Sequence, residues 1–362
     1  MVCVAAFIIL CLISVIVGFL SIFKRDIGAK WWKVFKKAWH CVFKKVRLQK
    51  CDTNFKEDVK NSILKKVVVK HPKWTKPISI AIEIVAVLIV LITVWSIVIA
   101  IKSLLALWVF GTCNVSQPSQ CALGAEVCSI DQAEPRNIFE KIGRGIGEWG
   151  EIFSAIPDRI KTWDADSFDI PTVVQAGNKD GEPALAIIDP GCSVCMQSYR
   201  NLQSDTEFLE KYNIKTAVYP IKLPDGSYKF KHSGLIARYL YAMNIIQAND
   251  DATKCGYVNY ADATINKIFT QHNEQGINYQ AVINNEPSDY NVARLIGQWL
   301  EGWGASTARI EQIESMVNDS AEIDELMSKA TQIIEQEVKP KGIPVMIYDG
   351  KKHNGLFQQS TE

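Results

Sequence analysis

Asp189-Pro190-Gly191-Cys192-Ser193-Val194-Cys195 follows directly on the apolar run Ala184-Leu185-Ala186-Ile187-Ile188, and a helical pattern begins within it and continues to about Tyr212. A strand that delivers Cys-x-x-Cys to the first turn of a helix is a chemically loaded arrangement. The helix start presents unpaired N–H groups and the positive end of the dipole, which stabilise a thiolate on Cys192. Cys195 lies one turn along on the same face, within disulfide reach, more buried and suited to resolving a mixed disulfide. A zinc knuckle needs two further ligands nearby, but His232, His272 and His353 are isolated and Cys255 stands alone. A purely structural bridge across two intervening residues closes a small, easily reduced ring. The spacing therefore favours redox chemistry over metal binding or a structural bridge.

Outward from this pair the pattern is that of an α/β domain. Residues 172–176 (TVVQA) and 184–188 (ALAII) read as strands separated by the turn Asn178-Lys179-Asp180-Gly181. Residues 214–221 (IKTAVYPI) form the next strand and complete a β-α-β unit. Residues 231–338 read as mostly helical: Leu235, Ile236, Tyr239, Leu240, Met243 and Ile246 recur at helical spacing, as do Val292, Leu295, Ile296, Trp299, Leu300 and Trp303. Gly342-Ile343-Pro344 then leads into a strand that ends at Asp349-Gly350-Lys351. Proline at a strand's first residue costs no ladder donor.

These features resemble the DsbA-like branch of the thioredoxin superfamily over residues 171–362, with a helical insertion at about 231–338. The resemblance implies a thioredoxin fold and thiol–disulfide oxidoreductase activity without metal, flavin or nucleotide cofactor. It also implies that Ile343-Pro344 is a cis peptide beside the cysteine pair, whose backbone pairs with an extended substrate chain. Three positions depart from the family pattern. Gly191 stands where relatives commonly carry an aromatic residue. Ala186, six residues before Cys192, stands where thioredoxins carry a buried Asp. Ser193-Val194 is neither the Gly-Pro of thioredoxins nor the Pro-His of strong oxidases, so the direction of electron flow is not set by these residues. Asp189 could substitute for the missing acid, but a turn role is the simpler reading.

The rest of the 362 residues places this domain. The net charge of +1 conceals a division. Residues 1–23 carry no charged side chain. Residues 24–77 carry seventeen Lys/Arg against four Asp/Glu, a net of +13, and residues 78–110 carry only Glu83 and Lys102. Residues 111–362 carry a net of −12, which excludes a nucleic-acid-binding main domain. Residues 1–23 and 78–110 are long enough to cross the roughly 30 Å of bilayer hydrocarbon. Basic residues follow the first run rather than precede it, so it reads as a retained span rather than a signal peptide. Glu83 and Lys102 reach toward the interfaces from the ends of the second. The basic loop then lies on the cytoplasmic side and both termini lie outside, giving a two-pass protein of the cell membrane. Trp31, Trp32, Phe35, Trp39, Val42, Phe43 and Val46 alternate with lysines as in an amphipathic helix on anionic lipid.

Residues 111–170 read as an extracytoplasmic linker followed by an amphipathic helix. Ile138, Ile142, Ile146, Trp149, Phe153, Ile156 and Ile160 recur at helical spacing over 136–163. The glycines of 143–150 lack the preceding strand and the spacing of a phosphate loop. Cys113, Cys121, Cys128 and Cys255 permit two structural disulfides in an oxidising compartment, the easiest to close lying within 113–128. Cys41 and Cys51 face a reducing compartment. Together these features describe a membrane-anchored thiol–disulfide oxidoreductase acting on exported proteins. Cys192 is nucleophile, Cys195 resolves, Ile343 and Pro344 bind substrate, and a membrane redox partner resets the pair. The competing reading is a non-catalytic binding or scaffold module of a cell-envelope assembly.

Overall fold

The computed structural model describes residues 75–121, 125–251, 253 and 256–358. The first apolar run, the basic loop with Cys41 and Cys51 up to residue 74, and Cys255 lie outside the described residues. The chain opens with the helix α1, Thr75–Phe110, of 36 residues. At 1.5 Å per residue it is roughly 54 Å long, longer than the ~30 Å hydrocarbon core. Its segment Leu91–Phe110 is long and apolar enough to cross a membrane. Lys102–Glu362 forms a compact unit of its own, and the last turns of α1 belong to it. The Lys102 ammonium is ion-paired with Glu148. Ala106, Val109 and Phe110 are buried with Val115 and Ile152. Apolarity alone cannot distinguish a lipid-facing side chain from one packed on protein, and here one face of the last turns packs on protein while Leu104 and Trp108 are exposed.

Within this unit the order is β1 (Cys128–Ser129), α2 (Ile138–Ile160), β2 (Val174–Gly177), β3 (Glu182–Ile188), α3 (Ser193–Ser204), α4 (Thr206–Lys211) and β4 (Tyr212–Val218). The helical insertion follows as α5 (Ser233–Gln247), α6 (Tyr260–Thr270), α7 (Tyr279–Asn284), α8 (Asp289–Gly302), α9 (Thr307–Asn318) and α10 (Ala321–Ile333). The chain closes with β5 (Gly342–Ile343), β6 (Val345–Tyr348) and β7 (Lys351–Asn354). Asn or Ser side chains accept a free N–H from the second or third residue of the first turn of α2, α6, α7, α8, α9 and α10. Each such cap satisfies a backbone donor that the helix leaves open.

Five strands form one sheet in the order β2-β4-β3-β6-β7. Only β3 and β4 run parallel, joined by α3 and α4; the other pairs are antiparallel. This is the thioredoxin-like α/β arrangement expected from the sequence. β3 is central and covered on both faces, which explains its unbroken apolar run. Leu185 and Ile187 join the core beneath the helical insertion. Ala184 and Ala186 face the opposite cluster with Leu202, Phe208, Tyr212, Ile214, Met346 and Phe357. Burying each large side chain contributes about 1.5–3 kcal/mol, so the two clusters hold the strand that carries the cysteine loop from both sides.

Candidate active site

Cys192 is the N-cap of α3. Its Sγ accepts the Cys195 backbone N–H at 3.3 Å, the kind of contact that stabilises a thiolate at a helix start. Across the loop, the Ile343-Pro344 peptide is cis, and the Ile343 carbonyl oxygen lies 4.0 Å from Cys192 Sγ. The structure thus brings Cys192, Cys195, Ile343 and Pro344 together across more than a hundred residues of helical insertion. Cys195 is fully buried and is a free thiol. Burial pushes its pKa well up, and the Asp189 carboxylate adds to the rise, while the hydrogen bond from the Asp189 backbone N–H at 3.4 Å opposes it.

The disulfides differ from the sequence reading at one decisive point. Cys113 and Cys121 are bridged, as loop closure within 113–128 suggested. Cys128 is not a structural partner of another linker cysteine: it is bridged to Cys192. Cys192, which the sequence reading made the less buried of the pair, accordingly has no exposed surface, because β1 lies over it. The short strand β1 pairs antiparallel with β5, setting Cys128 opposite Ile343 and Ser129 opposite Gly342.

Asp189 is more than a turn residue. It is fully buried, with one carboxylate oxygen accepting from the Gly191 N–H at 2.8 Å and from the Ser233 hydroxyl. The other accepts from the Ile221 N–H at 2.8 Å. Burial is the largest influence and raises its pKa to about 6, against the opposing effect of those hydrogen bonds and of the nearby Lys229 ammonium. Ionisation therefore opposes folding: the stability of the protonated acid is full below pH 3.8 and is lost as pH rises through about 6. The ionised carboxylate also interacts electrostatically with the buried Cys195 thiol. Exchange that requires Cys195 to lose its proton should rise along a limb centred near pH 6. In Asp189→Asn that limb should vanish and resolution near neutrality should slow; an unchanged profile in stopped-flow measurements would remove Asp189 from proton transfer.

Two amides complete the loop, and no sequence motif marks them. Gln280, buried on α7, donates through Nε2 to the carbonyls of Pro190 at 2.8 Å and Cys192 at 3.0 Å. Asn284, one turn on, donates to the Gly191 carbonyl at 2.8 Å. Each satisfies a loop carbonyl that no neighbouring strand reaches. The aromatic residue missing at Gly191 is also accounted for. A Cβ built on Gly191 would lie 2.3 Å from Phe230 Cβ and 2.7 Å from Ser233 Oγ, so Phe230 fills the space beside this loop.

No protein-family model and no curated protein matches the sequence. Solved structures similar to the chain include a thioredoxin-like oxidoreductase from Silicibacter pomeroyi DSS-3, at 14% identity, covering 52% of this chain and 86% of that one, with a TM-score of 0.33. The thiol-disulfide exchange protein alpha-DsbA2 from Wolbachia pipientis is 12% identical, covering 54% and 83%, with a TM-score of 0.34. MdbA, a thiol-disulfide oxidoreductase from Corynebacterium matruchotii, is 15% identical, covering 51% and 84%, with a TM-score of 0.34.

Proposed function

We propose that the chain is a membrane-anchored thiol–disulfide oxidoreductase that exchanges disulfides with exported proteins. The observation that carries this reading is Cys192 at the start of α3, with the Cys195 N–H on its sulfur and the Ile343 carbonyl 4.0 Å away. Cys192 forms the mixed disulfide and Cys195 resolves it. The backbone of Ile343 and Pro344 guides an extended substrate chain to the sulfur. A membrane-bound redox partner returns the pair to its working state. Thiol exchange by the purified chain tests the reading: turnover lost on removal of Cys192 supports it, and no turnover by the wild-type chain refutes it. The scaffold reading draws on the engagement of Cys192 with Cys128, and the same assay separates the two.

The topology belongs to this proposal. Residues 24–77 lie inside, the thioredoxin-like domain outside, and the second span lies within residues 78–110. Membrane lipid is a partner of both flanks. On α2 the side chains of Ile138, Phe139, Ile142, Ile146, Phe153 and Ile160 are exposed, an apolar stripe suited to the lipid interface. Reporters fused at residue 50 and at the C-terminus should report opposite sides of the membrane. The same side for both overturns the map.

A further inference from the structure

Residues 126–130 run along β5 beside the Cys192 sulfur. The two-residue ladder between β1 and β5 is extended by the Ile130 N–H, which donates to the Lys341 carbonyl at 3.0 Å, and on the other side the Leu356 N–H, beyond β7, donates to the Glu126 carbonyl at 3.0 Å. Lys229 closes one side, its ammonium donating to the Ser129 carbonyl at 2.7 Å and to the Ser129 hydroxyl at 3.0 Å. Gly342 makes the approach possible, since a Cβ there would lie 2.6 Å from Val127 Cγ2 and 3.0 Å from the Cys128 carbonyl oxygen. The Cys128 sulfur is bonded to Cys192, and both residues are buried, as is the free thiol of Cys195. A purely structural bridge has no need of the first cysteine of Cys-x-x-Cys, nor of a free buried thiol three residues on.

We propose that Cys128 is a third redox cysteine and that residues 126–130 are a tethered substrate held in the peptide groove. The proposal rests on the reading of Cys192 as nucleophile. The thiolate of Cys195, its proton passed to the Asp189 carboxylate, attacks Cys192 Sγ. The Cys192–Cys195 bond forms as the Cys128–Cys192 bond breaks, and the electron pair leaves on Cys128 Sγ, which takes up a proton. One disulfide and one thiol stand on each side, so the step is an isomerisation with no net oxidation. Release of β1 then frees β5, the Lys229 ammonium and the Leu356 N–H for an exported protein. The groove selects a cysteine in an extended segment with a β-branched or other compact residue before it, as Val127 is, and with its next carbonyl free for Lys229.

The experiment uses the full-length chain in detergent, acid-quenched and alkylated across a series of glutathione redox buffers, with disulfides mapped by mass spectrometry. Isomers of equal oxidation state should hold a constant ratio while their sum falls under reduction, so both the 128–192 and 192–195 bridges should appear and disappear together. A 128–192 bridge that persists after the 192–195 form is reduced, or that is the sole form in every buffer, overturns the proposal. The second arm starts from protein that has been reduced and freed of reductant, and follows release of glutathione as the Cys192 thiolate attacks the peptide sulfur of Glu-Val-Cys-Ser-Ile carried as its glutathione disulfide. A tether presents β1 at an effective concentration on the order of millimolar, so with the peptide at about a tenth of that, Cys128→Ser/Ile130→Pro, which also lacks the N–H that pairs with the Lys341 carbonyl, should react about tenfold faster than wild type. Equal rates, or an inactive variant beside an active wild type, also overturn the proposal while leaving the oxidoreductase reading intact. Inactivity of both proteins refutes that reading instead. The wild-type mapping decides alone if the variant does not fold.

Discussion

Cys192→Ser should abolish thiol exchange and at the same time lower the melting temperature of the oxidised protein. A neutral hydroxyl at this helix start is not a nucleophile without a paired base, and the described residues place none beside it. Serine is itself a favoured N-cap, so α3 keeps its start and the loss of activity is chemical. The thermal effect comes from the bridge to Cys128, which closes a loop of 64 residues in sequence separation. In the chain-entropy treatment such a loop contributes about 4 kcal/mol. For a domain of this size that corresponds to roughly 8–16 °C. Calorimetry of wild type and variant under oxidising conditions reads the shift, and alkylation should find Cys128 newly reactive in the variant. Full exchange activity in Cys192→Ser would contradict the assigned chemistry.

Gly191→Ala should be among the most damaging single-methyl additions in the domain. The new Cβ meets the Cβ and Cγ of Phe230 and the Oγ of Ser233, the last of which donates to Asp189. The loop cannot retreat easily, because Asn284 holds the Gly191 carbonyl and Asp189 holds its N–H. Overpacking of this kind costs about 1–3 kcal/mol and occasionally more. Loss of the Ser233 hydrogen bond to a buried carboxylate adds to that cost. A fall in melting temperature of roughly 5–10 °C follows for a unit of this size. Phe230→Ala in the same chain should recover part of the loss, since it removes the closest obstacle. A fully stable Gly191→Ala would mean that the loop is looser than its hydrogen bonds imply.

The central strands and helices were legible in the sequence because each announces its burial locally. The run 184–188 has the unbroken apolarity of a strand covered on both faces, and the helices of the insertion repeat their apolar residues every three or four positions. Strand β7 (Lys351–Asn354) was not legible: its residues are polar because it lies at the sheet edge, where only one side is paired. Nor was β1, a two-residue strand whose partner lies more than two hundred residues away. The same non-locality hid the Cys128–Cys192 bridge, the amides of Gln280 and Asn284, and the packing of Lys102 on Glu148. Asp189 gave a faint signal as an acid beside the cysteine pair. Its burial became apparent only when Ile221 and Ser233 closed around it.

The most direct test isolates the nucleophile. In the double variant Cys128→Ser/Cys195→Ser, Cys192 is the sole thiol left at the site and has nothing to resolve it. Incubated with the glutathione disulfide of Glu-Val-Cys-Ser-Ile and quenched in acid, this protein should carry the peptide in a stable one-to-one disulfide at Cys192, identified by mass spectrometry of the digest. A folded protein that acquires no peptide at Cys192 would contradict the reading of this chain as a thiol–disulfide oxidoreductase.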